Sequence, residues 1–304
     1  MASRWLKGNT HTHTRYSDGD SPPEVVVEWY EAHGYDFLFL TDHNVLIPDD
    51  HLATLQRGRL AVWQGEEVTM GAVHVNGLGV RDLILPSQPG KSLAEPTIRE
   101  SRVERLRWAI EQIVAQGGVA HVNHPNYLWT LTIDDLLASS DLGLLEVANG
   151  HNLVNNDGDD VHPSTEMMWD ALLTAGRQVW GVASDDAHHF ATWGDDRSNP
   201  GRGWLQVEAE SVRMTDVLEA LRRGRFYASS GLELQDYRVT ATELTVEIAA
   251  DAARIELIGQ DGVVLDAILG DRARFALGKA SSPYVRVRAT APDGRRLWTQ
   301  PLFR

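Results

Sequence analysis

The run Tyr35–Leu40 (YDFLFL) is too continuously apolar for a strand with one wet face, and it stops abruptly at Thr41-Asp42-His43-Asn44. A strand buried on both faces belongs to a sheet covered on both sides, which directs the chain toward layered α/β architectures. The same event, an apolar run ending in acids or imidazoles, recurs along the first 230 residues. Leu60–Trp63 runs into Gly65-Glu66-Glu67, Val119–Val122 into His124-Pro125, and Val179–Ala183 into Ser184-Asp185-Asp186-Ala187-His188. Trp5–Leu6 leads into Asn9–His13. There His11 and His13 are two apart, so on a strand both point to one side, about 6–7 Å apart along the chain.

Helical patterns separate these runs. Pro22–Pro23 suits the first turn of one helix. From about Thr97 to Gln116, Val103, Leu106, Ile110, Ile113 and Val114 line one face, and Gly117–Gly118 ends the pattern. Shorter helices are expected near Ile133–Ala138, Met167–Ala175 and Met214–Arg223, with strands at Val73–Leu78, Leu144–Ala148 and Trp204–Val207. Strand–helix alternation of this kind predicts a parallel sheet, open or closed into a barrel. After Tyr227 the period becomes two: Leu244, Val246 and Ile248 alternate with polar residues, as do Val285, Val287 and Ala289 with Arg286 and Arg288. Asp261-Gly262 and Asp293-Gly294 are hairpin-type turns. Residues 234–304 therefore read as a small antiparallel, sandwich-like β-domain following an α/β unit over 1–230.

The 304 residues include no cysteine, so a metal here must be held by nitrogen and oxygen. The net charge of −15 lies wholly in residues 1–230, where 33 acidic residues face 18 basic ones; residues 231–304 hold ten of each. Such a surface repels duplex nucleic acid, whereas a small anion steered to a metal-lined pocket is compatible with it. Met1–Asn9 carries no apolar run of signal-peptide length, and no later run is long enough to span a membrane. A soluble cytoplasmic protein is the expectation.

In a barrel of parallel strands the C-terminal strand ends gather on one face, where active sites are built. A lone His-X-His carries little weight, and so does a lone His-Pro. Five strand ends bearing His, Asp or Glu are a concentration that packing does not require. His121 reads as a group beside the metals; His33, His51, His151, His162 and His189 lack such context and read as structural or surface.

At this point the chain resembles a known family. "NTHTHTRYSDG", "FLTDHN", "GEEVT", "HVNGLG", "NHPN" and "SDDAH", in that order, look like the signature of the PHP (polymerase and histidinol phosphatase) superfamily of metal-dependent phosphoesterases. "GRFYASSGLEL" and "YVRVRATAPDGRRLWTQP" are similar to the tail of its carbaryl-hydrolase-like branch. The resemblance implies a distorted (β/α)7 barrel and a set of metal ligands. One metal would take His11, His13, Glu67 and Asp186; a second would share Glu67 and add His74 and His124; a third would use Asp18, His43 and His188. Glu67 rather than Glu66 follows the family's Gly-X-Glu spacing, and Asp186 rather than Asp185 its Asp-X-His spacing. Aspartate at position 18 departs from members with histidine there and leaves open whether two or three ions bind. The donor set suits Zn²⁺, Mn²⁺ or Fe²⁺ better than Ca²⁺, with no organic cofactor.

Water between two such cations has its pKa lowered from about 15.7 toward about 7, making hydroxide available for hydrolysis. Asp186, Glu67 and His188 are the expected catalytic groups. Arg202, Arg15 and Trp129 are candidate substrate contacts. Hydrolysis of a phosphate mono- or diester of a small molecule or nucleotide is the leading expectation. A carboxylic ester, amide or carbamate is the alternative that the carbaryl-hydrolase likeness implies, and a non-catalytic metal-stabilised scaffold is the third. For the C-terminal unit, covering the barrel, homo-oligomer formation and contact with substrate all stay open.

Overall fold

The computed structural model describes residues 3–56, 58–86, 88–91, 101–139, 141–250, 252–279 and 282–304. In chain order the first half holds β1 (Arg4–Asn9), α1 (Pro23–Ala32), β2 (Phe37–Leu40), α2 (Asp49–Leu55), β3 (Ala61–Met70), β4 (Val73–Leu78), α3 (Arg102–Ala115) and β5 (Val119–Val122). There follow α4 (Ile133–Ala138), β6 (Leu144–Asn149), α5 (Thr165–Thr174), β7 (Trp180–Ser184), β8 (Trp204–Ala209), α6 (Met214–Arg222) and β9 (Phe226–Ser229). The C-terminal strands are β10 (Leu234–Val239), β11 (Glu243–Ile248), β12 (Ala253–Ile258), β13 (Val264–Gly270), β14 (Arg272–Ala276), β15 (Tyr284–Thr290), β16 (Arg296–Thr299) and β17 (Leu302–Phe303).

β2 shows why the sheet needs cover on both sides. Phe37 and Phe39 join the main core with Leu6, Val75 and Val122. Their neighbours Leu38 and Leu40 turn the other way and pack with Val26, Val27 and Tyr30 of α1, as the period of two requires. α3 starts at a capping box in which Ser101 and Glu104 satisfy each other's backbone N–H groups. The expected start at Thr97 lies outside the described residues. Leu106, Ile110 and Ile113 are buried as read, but Val114 is 55% exposed, since it falls off the stripe.

The expectation of a parallel sheet holds only in part. β1–β2–β3 and β5–β6–β7 pair in parallel. β4 runs antiparallel to both β3 and β5, because only Gly71 and Ala72 separate β3 from β4, and so short a link permits nothing but a hairpin. β8 is antiparallel to β1. The ladder ends at β7 on one side. Beyond the strand ends, β1 and β7 meet at a single parallel bridge, Thr12–Ala187.

The C-terminal strands enclose their own core, into which Leu244, Val246, Ile248, Val285, Val287 and Ala289 point. One of their two sheets, β13–β12–β15–β16, is continuous with the first, since β9 pairs with β8 and with β16, whereas β10–β11–β14 form a separate three-stranded sheet. The arginines that alternate with apolar residues along β15 meet protein on their own side. Arg286 is fully buried against α5, with its guanidinium 2.7 Å from Glu166 and 2.6 Å from Asp170 and over the ring of Trp169. Arg288 adds Glu166 and Glu256. A strand alternating apolar and charged residues can therefore be buried on both faces when an acidic helix supplies the partners. Among the described residues, no helix is long and apolar enough to cross a membrane.

Candidate metal centre

Past the end of β1, the backbone of His11–His13 is gripped from both sides. Thr12 C=O accepts from Thr41 N–H, His11 C=O from Asp186 N–H, and His13 N–H donates to Ala187 C=O. The alternation of extended chain then puts His11 and His13 on one side, ring centroids 5.2 Å apart. Asp42 accepts from the N–H and hydroxyl of Thr14 and from Ser17. It thereby shapes the loop that brings Asp18 within 3.2 Å of His188 Nε2 and 3.5 Å of His43 Nε2.

β3 continues beyond the expected strand end at Trp63 and carries both glutamates within it. Successive side chains on a strand face opposite ways. Glu67 faces the imidazoles, while Glu66 turns into apolar surroundings, where burial pushes its carboxyl up to about 8 despite a bond from Ile84 N–H. Oε1 of Glu67 lies 3.0 Å from His74 and 3.3 Å from both His11 and His124; Oε2 lies 2.8 Å from His43 and 3.2 Å from His13. His74, near the start of the antiparallel β4, reaches Glu67 because the hairpin folds it back.

Asp185 and Asp186 also diverge. Asp186 adopts φ of 47°, in the left-handed region, and such strain gathers at functional sites. Its carboxylate faces His11 and His13, each at 3.2 Å. Asp185 points behind, accepting from Asn9, the Tyr30 hydroxyl and the backbone N–H groups of Arg202 and Gly203.

The nine residues expected as ligands thus come together. Ligand atoms within 4.8 Å of one another form four groups: His13, Asp18, His43 and His188; His11, Glu67 and His124; His11, His13 and Asp186; His43, Glu67 and His74. The division differs from the expected one at His74 and His124, which approach the same Glu67 oxygen from different groups. Burial alone would keep these carboxylates neutral and these imidazoles uncharged. Their mutual attraction reverses both tendencies: Glu67 and Asp186 are held well below the carboxylate range, and His13 and His43 rise to about 10 and about 9. Nε2 of His11, Nε2 of His13 and Oε2 of Glu67 are buried without a hydrogen-bond partner. Orphaned donor atoms aimed at one another, all nitrogen or oxygen, fit divalent cations.

Sequence reasoning missed Glu146. It is fully buried in β6, 2.8 Å from His11 Nδ1, and accepts from His124 N–H, the Ser184 hydroxyl and Asn149. Burial opposes its charge, but His11 and the other imidazoles hold it down to about 2. His121 sits beside it, Nε2 at 3.5 Å, and burial keeps that ring neutral with its pKa near about 4.

A cavity of about 250 Å³ opens onto the cluster. Its lining includes His151 and His189, which the sequence reading placed among structural or surface histidines, and Tyr127 and Leu153. The expected substrate contacts lie outside the lining. The Arg202 guanidinium is tied to the carbonyls of Gly150 and Gly194, Arg15 bonds to Asp20 C=O, and Trp129 stacks on His162 at 4.0 Å.

No family model matches the chain. A 3′,5′-nucleoside bisphosphate phosphatase from Chromobacterium violaceum is 32% identical over 113 residues, covering 35% of this chain and 38% of that protein. The chain therefore matches little more than a third of the relative's length. A solved two-domain protein from Bacteroides vulgatus, containing a predicted PHP-like metal-dependent phosphoesterase, shares the fold. Its TM-score is 0.53 at 17% identity, over 99% of this chain and 96% of that one. The chain thus shares its fold with that protein and resembles the phosphatase over a limited stretch.

Proposed function

We propose, from the fold shared with a PHP-like phosphoesterase, that this chain is a metal-dependent hydrolase of phosphate mono- or diesters on a small molecule or nucleotide. The observation that carries the reading is the convergence of nine His, Asp and Glu side chains, with unpartnered imidazole and carboxylate atoms, into one cluster of which six line a single cavity. In this reading residues 1–230 form the catalytic unit, a distorted barrel closed near Thr12–Ala187, and residues 234–304 form a β-unit that braces it.

Two or three Zn²⁺, Mn²⁺ or Fe²⁺ ions would be held by the nine residues. Bound there, they supply Lewis acidity toward water and toward the phosphoryl oxygen. The chain's own part is geometric and electrostatic. Glu67 turns its two oxygens to different imidazoles, the arrangement of a bridging carboxylate. Asp186 keeps Oδ1 toward His11 and His13, while Asn149 donates to Oδ2 at 3.1 Å and fixes the plane of the group. That carboxylate is well placed to hold one proton of an attacking water. His188, at the cavity edge, faces Asp18 and orients the group it forms with His13, Asp18 and His43. Anion binding would fall to such cations, in keeping with the acidic surface.

The test is hydrolysis by protein purified with Mn²⁺ or Zn²⁺, on phosphate mono- and diesters and on aryl carboxylic esters and carbamates, each with a chelator control. Chelator-sensitive phosphoester turnover is expected. Turnover of the carboxylic esters or carbamates alone would replace this reading with the carbaryl-hydrolase-like one, and no turnover on either panel would favour the scaffold.

A further inference from the structure

Six of the nine cluster residues line the cavity; the other lining residues, Tyr127, His151, Leu153 and His189, belong to none of the four ligand groups. Three of these stand together. We infer that Tyr127, His151 and Leu153 form a specificity wall that receives an uncharged planar group carried by the substrate. The inference rests on the phosphoester reading above and adds the chemistry of the substrate's remaining part.

The wall is built as a unit. An antiparallel bridge joins Tyr127 to Val154, and Val154 N–H donates to His151 C=O. The loops after β5 and β6 are thereby pinned side by side. The Tyr127 ring stands 5.2 Å from His124 and 6.2 Å from His74, so a group lying on it also borders the cluster. Leu153 is 59% exposed at the cavity edge. An exposed leucine beside a tyrosine face, at the mouth of a polar pocket, offers contact area to a flat apolar surface.

His151 has a fixed orientation. Its backbone N–H donates to Asn149, and its Nδ1 accepts from Leu153 N–H at 3.2 Å. A neutral imidazole accepting at Nδ1 carries its proton on Nε2, which puts a single donor at the wall's edge. Among the described residues the lining contains no lysine or arginine. One phosphoryl group would be met by cations held in the cluster, while a second anion on the same substrate finds no lysine or arginine in this lining.

Binding of phenylphosphonate and methylphosphonate to the Mn²⁺-loaded protein, measured by calorimetry, tests the wall without turnover. Wild type should favour the phenyl compound by about tenfold or more, the scale of burying one ring. Leu153→Ala, at an exposed position, and His151→Ala should each bring that ratio toward one with bound metal unchanged. Equal affinities in wild type, or a ratio that survives both substitutions, overturns the wall. Binding of neither compound overturns the wall and the anion site together. A phenyl preference in wild type that the substitutions abolish, without hydrolysis of any phosphoester, supports the wall and sinks the phosphoester chemistry alone.

Discussion

Nδ1 of His11 lies 2.8 Å from Oε1 of Glu146, so the ring is held from behind while its Nε2 faces Glu67 and Asp186. A carboxylate behind a ligating imidazole fixes its tautomer and raises its basicity. Glu146→Gln should therefore weaken metal binding by about 10–100-fold. Metal retained after dialysis against a buffered chelator, compared with wild type, checks this. Unchanged retention would mean that Glu146 only packs.

Asp186→Asn keeps the shape of the side chain and removes the charge facing His11 and His13. Turnover should fall by about a thousandfold or more, with the circular dichroism spectrum of the metal-free form matching that of metal-free wild type. A variant that retains turnover would remove Asp186 from the mechanism.

Glu166, buried against Arg286 and Arg288, is held below the usual carboxylate range by those two charges despite burial that works the other way. A depressed folded-state pKa stabilises the fold above the unfolded value and loses that effect as pH falls through the folded one. Glu166→Gln should cost about 1–3 kcal/mol at pH 7. The gap from wild type should shrink below about pH 4.5, where the unfolded glutamate takes up its proton. Urea unfolding at pH 7 and pH 4 measures both, and a gap independent of pH would contradict the assignment.

Ser101→Ala removes one half of the capping box of α3. A loss of about 0.5–2 kcal/mol is expected, with no change in metal content, since the helix end is exposed. Thermal unfolding of the metal-loaded protein reads the effect.

The sequence made the strand ends legible because apolar runs that stop at His, Asp or Glu are local patterns. His11 and His13 needed only the period of a strand, and Glu67 and Asp186 only motif spacing. Glu146 stayed hidden because LLEVAN reads as an ordinary buried strand, and its four partners come from positions 11, 124, 149 and 184. Tyr127 and His151 face the cavity through a bridge between two loops, which no local period encodes. The antiparallel turn into β4 runs through Gly71, whose φ of 67° suits a tight hairpin, and strand–helix alternation alone does not disclose it. α2 was missed because its seven residues bury only Leu55 and so lack an apolar stripe. The alternation along β15 does not tell that α5 covers Arg286, because the partners Glu166 and Asp170 lie more than a hundred residues away.

The pairing of β9 with both β8 and β16 has a consequence for the order of events during synthesis. β9 leaves the ribosome with one edge satisfied, and the strand that covers its other edge, Arg296–Thr299, is made some seventy residues later. Until then an unpaired edge stands open to other nascent chains. Maturation of the α/β unit is thus timed by residues far from its chemistry, and a chain halted before β16 should be recovered as aggregate rather than as a smaller active protein.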